Sequence, residues 1–173
     1  KLLIEGPTNL NGTVKVSRAK NAYLPILAAV LVSDKPIKLK NLPDLRDIRT
    51  MLRLLQNLGV KIDDHEDHTS FDASQLTGHE ATYELVKTMR ASIFVLGPLL
   101  ARLGKAKVSL PGGCAIGTRP IDIHLKNLEK LGVEFEISSG YVESKSSNLK
   151  ACHLPLSFPS VGATENLMMA SIF

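Results

Sequence analysis

The same short junction occurs twice in this chain of 173 residues, each time between a helical pattern and an alternating one. Residues 58–62 read Leu-Gly-Val-Lys-Ile, and residues 131–135 read Leu-Gly-Val-Glu-Phe. Around both junctions the sequence predicts the same order of elements: a helix, a strand, a second helix and two strands. Self-similarity at a fixed spacing is typical of repeat architectures, so we predict an α/β (α+β) fold built from βαβαββ-like units about 70 residues long.

The boundaries of the predicted units follow from these patterns. The first repeat covers about residues 20–86 and the second about residues 87–157, and a third begins with the helical pattern of residues 160–170. Because that pattern stops inside the first helix of the unit, we interpret residues 158–173 as the start of a truncated third repeat. On this interpretation residues 20–173 form an incomplete domain, since each unit needs its neighbour to cover its apolar face.

The first 19 residues do not follow the repeat. Leu2–Ile4 and Thr13–Val16 read as two short strands, and the Gly-Pro and Asn-Gly dipeptides between them are turn signals.

Composition narrows the possible partners. The net charge is only +4, aromatic residues make up 5% of the chain and tryptophan is absent, which does not favour nucleic-acid binding. No apolar run reaches the about 18 residues that a membrane-spanning helix needs. Two cysteines are too few for a disulfide framework, so a reducing cytoplasm is the expected compartment. We predict a cytoplasmic protein with neither a nucleic-acid nor a membrane partner.

Residues 63–68 (Asp-Asp-His-Glu-Asp-His) have the composition of a metal cluster. Their spacing matches no recognised ligand pattern, and they fall in the predicted turn between two short strands, where such side chains are normally solvated. We therefore predict no metal site and no cofactor.

A glycine-rich loop contains a thiol and an arginine that the repeat alone would not suggest as reactive groups. Residues 109–124 read Ser-Leu-Pro-Gly-Gly-Cys-Ala-Ile-Gly-Thr-Arg-Pro-Ile-Asp-Ile-His. Cys114 lies among three glycines, and Arg119 stands near a helix start. A thiol beside a cation and a helix start ionises more easily than a free one. The same helix start can bind an anion. The alternative is that Cys114 is an ordinary small loop residue. The other thiol, Cys152, lies in an apolar run and is expected to be buried and inert.

The repeat also predicts where an anion would bind. The equivalent helices of the three units begin near Lys20, near Arg90 and at Val161–Gly162. Under approximate threefold symmetry these helix starts gather at one end of the domain, with unpaired N–H groups and two cations. The alternative is that Lys20 and Arg90 are solvated cations without a ligand.

Four motifs then resemble those of the UDP-N-acetylglucosamine 1-carboxyvinyltransferase family. They are residues 20–22 (Lys-Asn-Ala), residues 86–92 (Val-Lys-Thr-Met-Arg-Ala-Ser), the loop of residues 110–124, and residues 160–164 (Ser-Val-Gly-Ala-Thr). The resemblance implies transfer of the enolpyruvyl group of phosphoenolpyruvate to the 3-hydroxyl of UDP-N-acetylglucosamine, the first committed step of peptidoglycan synthesis. It also implies two domains of the inside-out α/β barrel type. Residues 1–19 would then belong to the second domain, most of which lies outside this chain.

The resemblance assigns roles residue by residue. Cys114 matches a general acid toward the methylene carbon of phosphoenolpyruvate, and Lys20, Arg90 and Arg119 match the cations that bind its carboxylate and phosphate. The positions that match the nucleotide-sugar site are Asn21, Arg90, Arg119, Pro120, Ile121, Asp122, Ile123, His124, Ser160, Val161 and Gly162.

Two positions depart from the family pattern. Arg18 stands where many relatives carry glycine, and Phe158 lies in a stretch where some carry lysine. Because further catalytic groups belong to the half that this chain lacks, the chain alone is expected to be inactive. The alternatives to the leading reading are a non-catalytic UDP-sugar-binding fragment and the shikimate-pathway enolpyruvyl transferase.

Overall fold

The computed structural model describes residues 2–7, 9–86, 89–110 and 121–173, with the side chain of Arg90 outside this description. The two strands predicted before residue 19 do not form. Residues 2–7 and 9–19 contain no strand and are exposed; Leu2 and Val16, for example, are 94% and 87% exposed. A strand gains its stability from a neighbouring ladder and a covered face, and no other segment of the described chain offers either to these residues.

The first repeat folds in the predicted order around a small antiparallel sheet. Its elements are helix α1 (Lys20–Ala29) with a tight 3₁₀ turn after it (Val30–Val32), strand β1 (Ile37–Leu39), helix α2 (Arg46–Asn57), strand β2 (Lys61–Asp64) and strand β3 (Thr69–Asp72). Strand β3 lies between β1 and β2, and both pairings are antiparallel, with Ile37 and Ile62 each opposite Phe71. Phe71 is fully buried, which places the apolar face of this sheet against the helices.

The second repeat has the same plan, but a short strand and a short helix that the sequence did not predict precede it within residues 80–86, the end of the predicted first repeat. With these two included, the elements are strand β4 (Glu80–Ala81), helix α3 (Tyr83–Val86), a 3₁₀ turn (Arg90–Val95), helix α4 (Leu96–Leu103), strand β5 (Lys105–Ser109), helix α5 (Asp122–Lys130), strand β6 (Glu134–Ser138) and strand β7 (Tyr141–Lys145). The sheet order is β4-β5-β7-β6, with β4 parallel to β5 and the other pairs antiparallel. The order β5-β7-β6 repeats the order β1-β3-β2, which confirms the repeated unit. Helix α6 (Val161–Ala170) follows.

The sequence predicted one helix from about Thr88 to Leu103, whereas the described part of this segment is a 3₁₀ turn followed by α4.

The repeated Leu-Gly-Val junction has a backbone explanation. Gly59 and Gly132 each follow the last turn of a helix with a positive φ, +100° and +92°, a conformation that other residues adopt only with strain. At Gly59 a Cβ atom would also lie 2.7 Å from the backbone nitrogen of Thr77. The flanking Leu58 and Val60 are buried, as are their counterparts in the second repeat, so the junction turns the chain directly from helix to sheet inside the core.

The core lies between the sheets and the helices, and the helices of different units pack on one another. Helix α6 packs on α4, α1 packs on α2, and α1, the Arg90–Val95 turn and α6 contact one another pairwise. Within the described ranges no helix has both the length and the apolar character needed to cross a bilayer.

Candidate functional site

Three segments that the repeat makes equivalent meet in the structure. Helix α1 begins at Lys20, the 3₁₀ turn begins at Arg90 and helix α6 begins at Val161, and each of the three segments contacts the other two. The packing therefore brings together the elements that carry three groups of predicted site residues.

Lys20 has a partner that the sequence did not suggest. Its Nζ lies 2.7 Å from Oδ2 of Asp47, in the first turn of α2, and its side chain is 45% exposed. A carboxylate is favoured in the first turn of a helix, because it faces unpaired N–H groups there. The Asp47 carboxylate holds the ammonium group in one place while leaving part of it open to solvent. Asn21, the next residue of α1, is exposed.

The predicted nucleotide-sugar residues of the second repeat form the start of α5. Ile121, Asp122 and Ile123 are half-buried, and His124 is only 8% exposed. Oδ2 of Asp122 accepts a long hydrogen bond from Lys126 (3.4 Å), whereas its Oδ1 is buried and has no hydrogen-bond partner among the residues that the structure describes. An unpaired buried oxygen costs free energy, so this atom can accept a hydrogen bond from a ligand at little additional cost.

The predicted residues Ser160, Val161 and Gly162 form the start of α6. Ser160 is the N-cap: its Oγ accepts a hydrogen bond from the backbone N–H of Ala163 (3.2 Å). Val161 is exposed, and a Cβ atom on Gly162 would lie 3.8 Å from Cε1 of His124. Helices α5 and α6, which are distant in sequence, pack on each other, with His124 on the side of α5 that faces α6.

A buried asparagine joins these elements and was missed by the sequence analysis. The side chain of Asn166 is fully buried, and its Oδ1 accepts a hydrogen bond from the backbone N–H of Gly97 (2.7 Å). Its Nδ2 donates to the carbonyl oxygen of Ile93 (3.1 Å) and lies 3.1 Å from Nδ1 of His124. The available signal was an amide side chain within an apolar helix, one turn after Gly162.

Burial also sets the protonation of His124. Desolvation lowers the pKa of its imidazole, and the nearby Asp122 carboxylate opposes that shift without cancelling it. The ring is thus held in its neutral form, as a hydrogen-bonding group rather than a charge.

Several predicted residues lie outside the described part of the chain. They are Cys114, Arg119 and Pro120, together with the side chain of Arg90.

Two further features that the sequence suggested lie among the described residues. Among the described residues no three His, Cys, Asp or Glu side chains are arranged to hold a metal ion. Within residues 63–68, His68 Nδ1 lies 2.6 Å from Asp67 Oδ1 and its ring stacks on that of His65.

The prediction that Cys152 is buried was wrong. The thiol is exposed, because the segment after β7 runs over the surface. Its Sγ lies 3.5 Å from the carbonyl oxygen of Lys130.

Solved structures share this arrangement of units. The chain superposes on the enolpyruvyl transferase NikO from Streptomyces tendae with a TM-score of 0.78 at 20% identity, over 95% of this chain and 39% of that one. It superposes on EPSP synthase from Acinetobacter baumannii with a TM-score of 0.69 at 14% identity, over 92% of this chain and 37% of that one. At these identities the likeness concerns the fold, which is the enolpyruvyl transferase fold.

The sequence comparisons are more specific. The family model described as EPSP synthase (3-phosphoshikimate 1-carboxyvinyltransferase) matches residues 4–173, and the chain belongs to this family. Proteins named UDP-N-acetylglucosamine 1-carboxyvinyltransferase from Lawsonia intracellularis and Hydrogenovibrio crunogenus are 56% and 50% identical to it, over 99% of the chain. The chain spans 41% of the length of these relatives.

Proposed function

We propose that the full-length protein containing this chain transfers the enolpyruvyl group of phosphoenolpyruvate to the 3-hydroxyl of UDP-N-acetylglucosamine and releases phosphate. The observation that carries the proposal is the identity of 50–56% to proteins named for this reaction, over 99% of the chain. The described residues of three motifs support it, because residues 20–22, 89–92 and 160–164 lie at the starts of segments that pack on one another. The reaction would be the first committed step of peptidoglycan synthesis, in the cytoplasm.

In this proposal the cations and the thiol act on phosphoenolpyruvate. Lys20, Arg90 and Arg119 bind its carboxylate and phosphate, since guanidinium and ammonium groups donate several charge-assisted hydrogen bonds to such oxygens. Cys114 donates a proton to the methylene carbon while the sugar oxygen bonds to the adjacent carbon. Loss of a proton from the new methyl group and departure of phosphate then re-form the carbon–carbon double bond and give the enol ether.

The nucleotide sugar binds along the starts of α5 and α6. The packing of α5 on α6 and the Oδ1 of Asp122, which has no hydrogen-bond partner among the described residues, support this location, because they place an available acceptor next to the start of α6. Ser160 caps α6, and Asn21 belongs to α1, which contacts α6.

A second domain of the same protein would supply the base for the sugar hydroxyl and close the site. The chain alone would therefore bind substrates weakly and not turn over.

The test is phosphate release by the full-length protein with both substrates. Cys114→Ala should reduce the rate by at least about 100-fold, the usual contribution of a positioned proton donor. Cys152→Ser is the matched control, because Cys152 is an exposed thiol of the same chain, and it should leave the rate within twofold. Unchanged turnover in Cys114→Ala would remove this residue from the mechanism.

One alternative acceptor must be measured in the same assay, because the matching family model is described as 3-phosphoshikimate 1-carboxyvinyltransferase. We expect phosphate release with UDP-N-acetylglucosamine and none with shikimate 3-phosphate. The opposite pattern would reassign the protein to the shikimate reaction, and release with neither acceptor would favour a non-catalytic binding protein.

A further inference from the structure

The hydrogen bonds of Asn166 determine which of its side-chain atoms is which. The backbone N–H of Gly97 can only donate, so the atom 2.7 Å from it must be the amide oxygen. The carbonyl oxygen of Ile93 can only accept, so the atom 3.1 Å from it must be the amide nitrogen. Both neighbours are backbone groups, and the orientation of the amide therefore does not depend on the state of any side chain.

That orientation in turn determines the state of His124. The amide nitrogen of Asn166 has two hydrogens and no lone pair to offer, and it lies 3.1 Å from Nδ1 of the imidazole. Nδ1 must consequently accept the hydrogen bond and carry no proton. Since burial disfavours the charged ring, the imidazole is neutral and its single proton is on Nε2.

The proton on Nε2 is not used by this network. Among the described residues the imidazole makes its side-chain hydrogen bond through Nδ1, which leaves the Nε2–H free of the bond to Asn166. Its neighbour in the ring, Cε1, is next to Gly162 at the start of α6. The ring therefore presents an N–H donor beside the segment where the nucleotide sugar is proposed to bind.

We propose that Asn166 is a positioning residue for the nucleotide sugar: it holds His124 as the Nε2–H tautomer, and His124 donates from Nε2 to an acceptor oxygen of that substrate. This inference rests on the proposed function for the identity of the ligand. The tautomer itself rests only on the contacts of Asn166.

Asn166→Asp is the informative variant, because aspartate has nearly the same shape and reverses the hydrogen bond to the ring. One carboxylate oxygen still accepts from Gly97, while the other loses the bond to the carbonyl oxygen of Ile93 and would accept a hydrogen bond from a protonated Nδ1 of His124. Asn127→Asp is the matched control. Asn127 is another buried asparagine, on α5, and its Nδ2 donates to the carbonyl oxygen of Ile123 (2.8 Å) rather than to His124.

The first measurement is the ¹⁵N spectrum of the histidine rings in the full-length protein, with the His124 signals assigned by their loss in His124→Gln. We expect the Nε2–H pattern in the wild type and in Asn127→Asp, and a proton on Nδ1 in Asn166→Asp. A proton on Nδ1 in the wild type would overturn the proposal. The wild-type spectrum alone therefore tests it, even if Asn166→Asp does not fold.

The second measurement is steady-state kinetics with both substrates. Asn166→Asp should raise KM for UDP-N-acetylglucosamine about tenfold, the effect of one lost hydrogen bond of about 1.4 kcal/mol, and change KM for phosphoenolpyruvate less than twofold. Equal changes in both, or none, would overturn the positioning role even if the tautomer switches. If the wild type releases no phosphate, the proposed function fails, while the ring spectrum still decides the tautomer.

Discussion

Nζ of Lys20 lies 2.7 Å from Oδ2 of Asp47, so the first residue of α1 is tied to the first turn of α2. Neither side chain is fully buried: Lys20 is 45% and Asp47 is 28% exposed. An exposed pair of this kind contributes at most about 1 kcal/mol to stability. Its importance is therefore expected to lie in where it holds the ammonium group.

Asp47→Asn should separate these two effects. The amide keeps the size of the side chain but loses the charge that orients Lys20, so KM for phosphoenolpyruvate should rise roughly threefold to tenfold, as expected for a loss of about 1 kcal/mol. Thermal unfolding should change little. Glu143→Gln is the matched control, because it removes the same charge from the Lys107–Glu143 pair (3.1 Å) on the second sheet. A rise in KM in both variants, or in neither, would contradict the role of Asp47.

Gly97→Ala should destabilise the protein. A Cβ atom at Gly97 would lie 2.3 Å from the backbone oxygen of Asn166, which α6 cannot move away without disturbing the core. Overpacking of this kind typically costs about 1–3 kcal/mol. The thermal midpoint should fall by several degrees, since about 1 kcal/mol corresponds to 2–4 °C in domains of 150–250 residues. Gly6→Ala, with no atom within 4 Å of its added Cβ, should leave the midpoint unchanged.

The buried His124 predicts a loss of stability in mild acid. Its pKa is lowered from the ordinary 6.5 mainly by desolvation, so below that value the unfolded chain binds a proton that the folded protein does not. Stability from the neutral ring is thus fully present above pH 6.5 and is lost as the pH falls toward the pKa of the folded state.

Thermal midpoints measured from pH 8 to pH 5 check this expectation. The decrease between pH 6.5 and pH 5 should be smaller in His124→Gln, which cannot titrate there. His153→Gln, an exposed site, serves as control and should follow the wild type. Identical pH profiles for His124→Gln and the wild type would contradict the assigned effect.

Ser160 should matter for both the helix and the substrate. Ser160→Ala removes the cap of α6, a loss of about 1 kcal/mol, and loosens the turn that carries Val161 and Gly162. The thermal midpoint should fall and KM for the nucleotide sugar should rise. Ser160→Thr keeps a hydroxyl that can accept from Ala163 and should restore both quantities; a variant as impaired as Ser160→Ala would show that capping is not the reason.

Most of the order of elements could be predicted from the sequence because it depends on local patterns, although the short strand β4 and the short helix α3 were missed. The Leu-Gly-Val junctions mark helix ends where Gly59 and Gly132 have positive φ, and the apolar periodicity of α2 is sufficient to define that helix. The two strands predicted before residue 19 were wrong, since a strand depends on a partner that a local pattern does not contain.

The features of the candidate site also fall into two groups: those that depend on neighbouring residues and those that depend on residues far apart in the chain. The sequence by itself determined the repeat, the family motifs and the residue types suited to bind an anion, because these are written in short stretches of neighbouring residues. Only the tertiary structure decided that Asp47 meets Lys20, that Cys152 is exposed, and that Asn166 joins Gly97, Ile93 and His124. The physical reason is that a buried polar group must find its partner wherever packing places one, and these partners are far apart along the chain.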